Sequence, residues 1–168
     1  GYINVVITQK LYEIFAPSLI SCTFTIVPER GDGGISETAI EDIMPKLSWA
    51  DSVIIGCGMG ASAETKELVR FVVDNFKGDV VIDADGLNSI DLAMLKNKKC
   101  NIIITPHYKE MARLLHNNIE YIIDNRIKIA KDVAKEYGIT VLLKSHQTIV
   151  AYPNGDIFVN TTGNSGMA

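Results

Sequence analysis

Five segments of the 168-residue sequence combine residue types that could bind a phosphorylated ligand and act on it. Gly56-Cys57-Gly58-Met59-Gly60-Ala61 joins an apolar run to a helical stretch that Ser62 could cap. Glycines let backbone approach a phosphate closely, and a helix start offers free N–H donors with partial positive charge. Read as G-x-G-x-x-A, the segment also fits a dinucleotide fingerprint, with Asp79 or Asp83 near the spacing of its ribose carboxylate; a ligand-free tight turn is the alternative. Asp83-Ala84-Asp85-Gly86-Leu87-Asn88 offers two carboxylates and an amide, able to hold a sugar hydroxyl or a hydrated Mg²⁺, or simply to cap a helix. In Thr105-Pro106-His107-Tyr108-Lys109-Glu110, Thr105 and Pro106 suit a helix start, which makes His107 the histidine placed for function. His116 reads as solvated surface, and His146 sits in a short connection. Leu142-Leu143-Lys144-Ser145-His146-Gln147-Thr148 ends a buried strand on a lysine, a point charge for phosphate or else a side chain that merely reaches solvent. Asn160 to Ala168, with Gly163-Asn164-Ser165-Gly166 inside it, reads as a loop entering a further anion-binding helix start.

These segments need a frame that gathers them. Runs rich in Val and Ile at 3–7, 22–27, 52–55, 80–82, 101–104 and 139–143 predict strands. They are uniformly apolar, which predicts a parallel sheet covered on both faces. Stretches of helical period lie between them, at 36–47, 62–76, 86–95, 107–115 and 119–137. In the last, Ile123, Ile127, Ala130, Ala134 and Tyr137 are expected to form the stripe against the sheet, with Gly138 closing the helix. Asn154-Gly155 between two β-prone runs predicts a hairpin after the last parallel strand. In such sheets ligands bind beyond the carboxyl ends of the strands, where the segments above fall.

Composition narrows the field further. Sixteen basic against twenty acidic residues give a net charge of −4, and the one basic cluster, Lys96 to Lys99, is short, so a nucleic-acid-binding surface is not expected. No apolar run is long enough for a membrane span and no leader pattern is present, which predicts a cytoplasmic protein. Cys22, Cys57 and Cys100 are odd in number and far apart, as expected of reduced, mostly buried thiols. No linker or repeat divides residues 1–168, which read as one α/β domain; a first residue Gly1 and a glycine-rich end at Ala168 suggest a domain cut at both ends.

Taken in order, the segments resemble the NAD(P)H-hydrate dehydratase family of the ribokinase-like superfamily, often labelled carbohydrate kinases. The family's patterns are Gly-Pro-Gly-Leu-Gly, Asp-Ala-Asp-Ala-Leu-Asn, Thr-Pro-His-Pro-Gly-Glu, Leu-Lys-Gly and Asn-Pro-Thr-Gly-Asn-Pro-Gly-Met-Ala. This chain aligns with them from Gly56 to Ala168, with Cys57 in place of a proline, Tyr108-Lys109 of Pro-Gly and Ser145 of a glycine. The resemblance implies a three-layer α/β fold with a mostly parallel sheet, helices on both faces and a C-terminal hairpin. It implies a lyase of metabolite repair that uses ADP or ATP with Mg²⁺ to dehydrate hydrated NADH or NADPH, by phosphorylating the ring hydroxyl and eliminating phosphate. Gly58, Gly60 and His107 would contact the hydrated dinucleotide, and Asp83 and Asn88 would lie near the junction of the two ligands. Lys144, Ser145, His146, Gln147 and Thr148 would contact the nucleotide, with Asn160 and Asn164 flanking its phosphates. No protein metal ligand is assigned. The family's Gly-Gly-Thr-Gly-Asp segment, whose Asp activates the hydroxyl, is expected past Ala168, so no catalytic base is assigned and residues 1–168 alone are expected to be inactive. A small-molecule substrate and a homo-oligomer are further expectations. A ribokinase-like kinase of sugars or hydroxymethyl groups and a non-catalytic nucleotide-binding module are the alternatives. The two strands before the glycine loop and the later hairpin argue against a dehydrogenase fragment.

Overall fold

Val- and Ile-rich runs become strands when their peptide groups find partners, and in this computed structural model, described over residues 1–162, they do so in two sheets rather than one. β1 (Asn4–Thr8) and β2 (Thr23–Val27) pair in parallel with each other alone, joined by α1 (Gln9–Phe15), a helix that the sequence did not announce. Asn4 holds the register: its Nδ2 donates to Thr23 Oγ1 at 3.1 Å and its Oδ1 accepts from Thr25 Oγ1 at 2.9 Å. A polar ladder of this kind fixes two short strands that bury little apolar surface. An irregular stretch and a 3₁₀ turn (Glu37–Ala39) lead into α2 (Ile40–Leu47).

The second sheet has six strands in chain order: β3 (Ser52–Ile55), β4 (Asp79–Ile82), β5 (Asn101–Ile104), β6 (Thr140–Leu143), β7 (Ile149–Ala151) and β8 (Ile157–Val159). The first four run parallel, and β7 and β8 add the antiparallel hairpin read from Asn154-Gly155. Helices flank this mostly parallel sheet, as the sequence led us to expect. Burial alternates along the central strands: Val80, Ile82, Ile102, Ile104, Val141 and Leu143 are buried, while Val81, Ile103 and Leu142 are half-buried. At the edge, Ile54 of β3 is 73% exposed, so the expectation of cover on both faces fails there.

α3 (Ala63–Asn75) begins where the Ser62 hydroxyl accepts from Thr65 N at 3.1 Å, and it buries Leu68, Val69, Val72 and Val73 at helical spacing. Each such side chain contributes about 1.5–3 kcal/mol when fully buried. The single helix expected at 86–95 is instead α4 (Ala84–Ser89) and a 3₁₀ segment (Leu92–Asn97). After α5 (Tyr108–Leu114), the helix expected at 119–137 divides into α6 (Ile119–Asp124) and α7 (Arg126–Tyr137). Asn125 breaks it, its backbone N and side-chain Nδ2 both donating to Tyr121 O, at 3.1 and 3.0 Å. The break resets the phase of the apolar stripe. Ile123 and Ile127 are 44% and 48% exposed, whereas Ala130 and Ala134 are buried as expected, joined by Ile122, Ile129 and Val133. Gly138 closes α7 in a left-handed conformation, as expected.

Register gathers the candidate residues at one edge. Ile55 pairs with Ile82, Ile82 with Ile104 and Ile104 with Val141, so the parallel strands end almost level. The residues beyond them stay tied to their neighbours: Asp83 N donates to Ile55 O at 3.1 Å, Thr105 N to Ile82 O at 3.2 Å and Lys144 N to Pro106 O at 2.8 Å. A bridge between His107 and Lys144 extends the pairing of β5 and β6 past the ends of both strands.

Candidate active site

Gly56 is the first residue past β3, with φ +117°, and a Cβ there would collide with the Asp83 carbonyl oxygen and with Gly86. Only glycine permits this approach of the first loop to the second. The loop then turns through Gly58 (φ +69°) and Gly60 (φ +74°), and Gly60 N donates to Asp85 Oδ2 at 2.9 Å. Cys57 is exposed on this loop and Cys100 is buried, so the expectation of buried thiols holds for only one of these two.

Arg30, which the sequence did not single out, braces the loop from the far side. Its Nη1 donates to Ser62 Oγ and to Glu64 Oε2, the latter at 3.1 Å, while Nε and Nη2 grip Asp32 at 3.0 and 3.1 Å. The guanidinium stands beside Gly60, 3.6 Å from where a Cβ would be. Ser62 lies 32 residues further along the chain, so no local pattern could have revealed the contact.

Asp83 caps α4, its Oδ1 accepting from Ala84 N at 2.8 Å, and the same oxygen accepts from Lys144 Nζ at 2.7 Å. Burial works against this carboxylate, but hydrogen bonds from Lys144 and from Ala84 N, together with the lysine charge, outweigh it and hold its pKa below the ordinary value. Ala84 adopts φ +48°, a left-handed conformation that a non-glycine residue holds at a cost, and such strain clusters at functional sites. Among the described residues, three buried side-chain atoms have no protein partner of hydrogen-bonding geometry: Thr8 Oγ1, at the end of β1, Thr105 Oγ1, beside Asp83, and Asn88 Oδ1, on α4. An unpartnered buried polar atom costs about 1–3 kcal/mol, which a bound ligand or water can return.

His107 caps α5. Its Nδ1 accepts from Glu110 N at 3.1 Å, and Glu110 Oε2 accepts from His107 N at 2.8 Å, closing a reciprocal capping box. Beyond β6, the Lys144–Thr148 segment folds into a turn: Ser145 Oγ donates to Gln147 O at 2.9 Å and Thr148 Oγ1 donates to Ser145 O at 3.0 Å. Ser145 avoids the left-handed region, so a serine serves where the family pattern has glycine. Gln147 Oε1 accepts from Arg126 at 3.1 Å, Asn160 N donates to Thr148 O at 2.8 Å, and His146 is exposed. Asn160 Oδ1 accepts from Thr162 N and Oγ1, at 3.0 and 2.7 Å. Asn164 lies outside the described residues.

The fold therefore brings Asp83, Thr105, His107 and Lys144 to adjacent strand ends, with Gly58 and Gly60 on one side and the 145–148 turn on the other. Among the described residues, no group of three His, Cys, Asp or Glu side chains could cage a metal, and no helix is long and apolar enough to cross a membrane. The arrangement suits phosphate binding by a lysine whose carboxylate partner stays ionised.

A family model described as NAD(P)H-hydrate dehydratase matches residues 5–168. The bifunctional NAD(P)H-hydrate repair enzyme Nnr of Moorella thermoacetica is 31% identical over 170 residues, taking in 100% of this chain and 32% of that protein. The ADP-dependent (S)-NAD(P)H-hydrate dehydratase of Neisseria meningitidis is 35% identical over 132 residues, 76% of this chain and 45% of that one. Among solved structures, the ADP/ATP-dependent NAD(P)H-hydrate dehydratase of Bacillus subtilis, co-crystallised with ATP/Mg²⁺, superposes with a TM-score of 0.77 at 23% identity over 98% of this chain and 55% of that chain. A ribokinase-like superfamily protein of Enterococcus faecalis gives a TM-score of 0.76 at 21% identity. The chain thus spans 32% to 45% of the length of these curated relatives.

Proposed function

Because the chain belongs to the NAD(P)H-hydrate dehydratase family, we propose that the protein dehydrates hydrated NADH or NADPH at the expense of ADP or ATP. The observation that carries this reading is the Asp83–Lys144 pair, spanning the ends of β4 and β6 at 2.7 Å beside the unpartnered Thr105 hydroxyl. The nucleotide supplies the phosphoryl group that turns the ring hydroxyl into a leaving group. The chain's own residues do the positioning: Lys144 meets phosphate charge, Asp83 aims the ammonium, and Gly58 and Gly60 leave room for the dinucleotide backbone. The 145–148 turn, with Asn160 behind it and Asn164 further on, holds the nucleotide. Asn88 and Asp83 lie between the two ligands. Mg²⁺ would be carried on the nucleotide phosphates, with Asp83 or Asp85 able to serve as a single carboxylate partner at the strand-end edge.

We carry with this reading one ribokinase-like domain and a cytoplasmic homo-oligomer, supported by free thiols at Cys22, Cys57 and Cys100 and by exposed Ile14, Phe15 and Ile54. The test is to incubate the full-length protein with acid-hydrated NADH and either ADP or ATP, following the return of the dihydronicotinamide absorbance. Nucleotide-dependent recovery that Lys144→Ala lowers at least tenfold supports the reading. Phosphorylation of a sugar or hydroxymethyl compound without recovery would replace it by a kinase of the same fold.

A further inference from the structure

The capping box at α5 fixes more than the start of a helix. A backbone N–H can only donate, so the His107 Nδ1 that accepts from Glu110 N at 3.1 Å must carry its lone pair. The proton of the neutral ring is then on Nε2, and this follows from the contact without any assignment of hydrogens. Glu110 is buried, with 6% exposure, and holds the box shut from the other side by accepting His107 N–H at 2.8 Å. Its Oε1 stands 3.5 Å from His107 Nε2, longer than a good N–H···O bond of about 2.7–3.2 Å, so the Nε2–H is left for another acceptor. The imidazole is 48% exposed and lies on the strand-end edge, where the His107–Lys144 bridge holds it beside Lys144 in the pairing of β5 and β6.

We propose that the backbone N–H of Glu110 locks His107 in the Nε2–H tautomer, so that His107 recognises its ligand as a hydrogen-bond donor to an acceptor oxygen of the dinucleotide. The ligand half of this inference rests on the function proposed above; the tautomer lock does not. A ring fixed in this form cannot serve as a base through Nδ1, and protonation at Nδ1 would expel the cap. His107 therefore contributes to affinity and orientation and takes no part in proton transfer.

Two measurements test it on the intact protein. Long-range proton–nitrogen correlation spectra of histidine-labelled protein, without ligand, should show His107 with an acceptor-type Nδ1 and a protonated Nε2. The opposite tautomer, or an averaged pattern, overturns the lock. Glu110→Pro, which removes the donating N–H at a first-turn position, should produce that averaged pattern, whereas Glu110→Ala and Glu110→Gln, which keep it, should hold the fixed one. NADH then serves as the binding probe. Asparagine places an acceptor at the Nδ1 position and caps well, whereas glutamine places its amide nitrogen near Nε2. His107→Asn should keep the melting temperature while weakening NADH binding about tenfold, and His107→Gln should retain the greater part of the affinity at reduced stability. NADH binding by His107→Asn at the wild-type level would make His107 a cap only and overturn the donor role. If the wild-type protein fails to bind NADH, the dinucleotide reading and the ligand half of this inference fall together, while the spectra still decide the lock.

Discussion

Asp83 answers to two neighbours with a single oxygen. Replacement by Asn keeps an acceptor for Ala84 N and removes the charge that aims Lys144. Lys144 is 39% exposed, so the pair is screened and its loss should cost about 1 kcal/mol or less of stability, while turnover falls by at least tenfold. Calorimetry and the absorbance assay separate the two effects. The pH dependence has a definite sign. A carboxyl held low in the folded state stabilises it fully above its unfolded value of about 3.9 and loses that contribution as pH falls through the folded value. The stability gap between wild type and Asp83→Asn should therefore be steady near neutrality and shrink as titration proceeds below the carboxylate range. Glycines give a second contrast. Gly56→Ala drives a methyl group into the Asp83 carbonyl at φ +117° and should cost several kcal/mol, about 3 or more, whereas Gly58→Ala has open space and should cost about 1 kcal/mol of backbone strain. Urea denaturation of both variants checks the ordering.

Elements were legible where composition and position agree. The strand expected at 101–104 is β5 to the residue, because a run of isoleucines between turn residues has no other use. The hairpin was equally legible, since Asn154-Gly155 demands a tight turn. Legibility fails where a helix is broken or made by its surroundings. α1 buries no residue and Thr8 makes no capping bond, so neither stripe nor cap advertises it. Asn125 costs little inside a helix, and only packing turns it into a break that presents Ile122 to the core rather than Ile123. The same limits apply to the site: Asp83, His107 and Lys144 stand at strand ends where the sequence put them, but Arg30 reaches Ser62 across 32 residues. Ile122→Ala should destabilise by about 2–5 kcal/mol and Ile123→Ala by less than about 0.5 kcal/mol. Equal effects in thermal melts would restore the unbroken helix.

At the scale of the molecule, the two sheets differ in how firmly they are held. Among the described residues, β1 and β2 bond only to each other, while β4, β5 and β6 carry neighbours on both sides and a buried face. Native-state hydrogen exchange should release the amides of β1 and β2 well before those of β4 and β5. The level ends of the parallel strands have one more consequence. Side chains of a strand alternate between faces, so position along β5 is a matter of odd and even. Deleting one residue from Asn101–Ile104 would turn the Ile102 and Ile104 positions out of the core and, in the same stroke, draw His107 out of step with Lys144. Fold and chemistry share one parity here, and a sequence that drifts by a single residue in this strand loses both together.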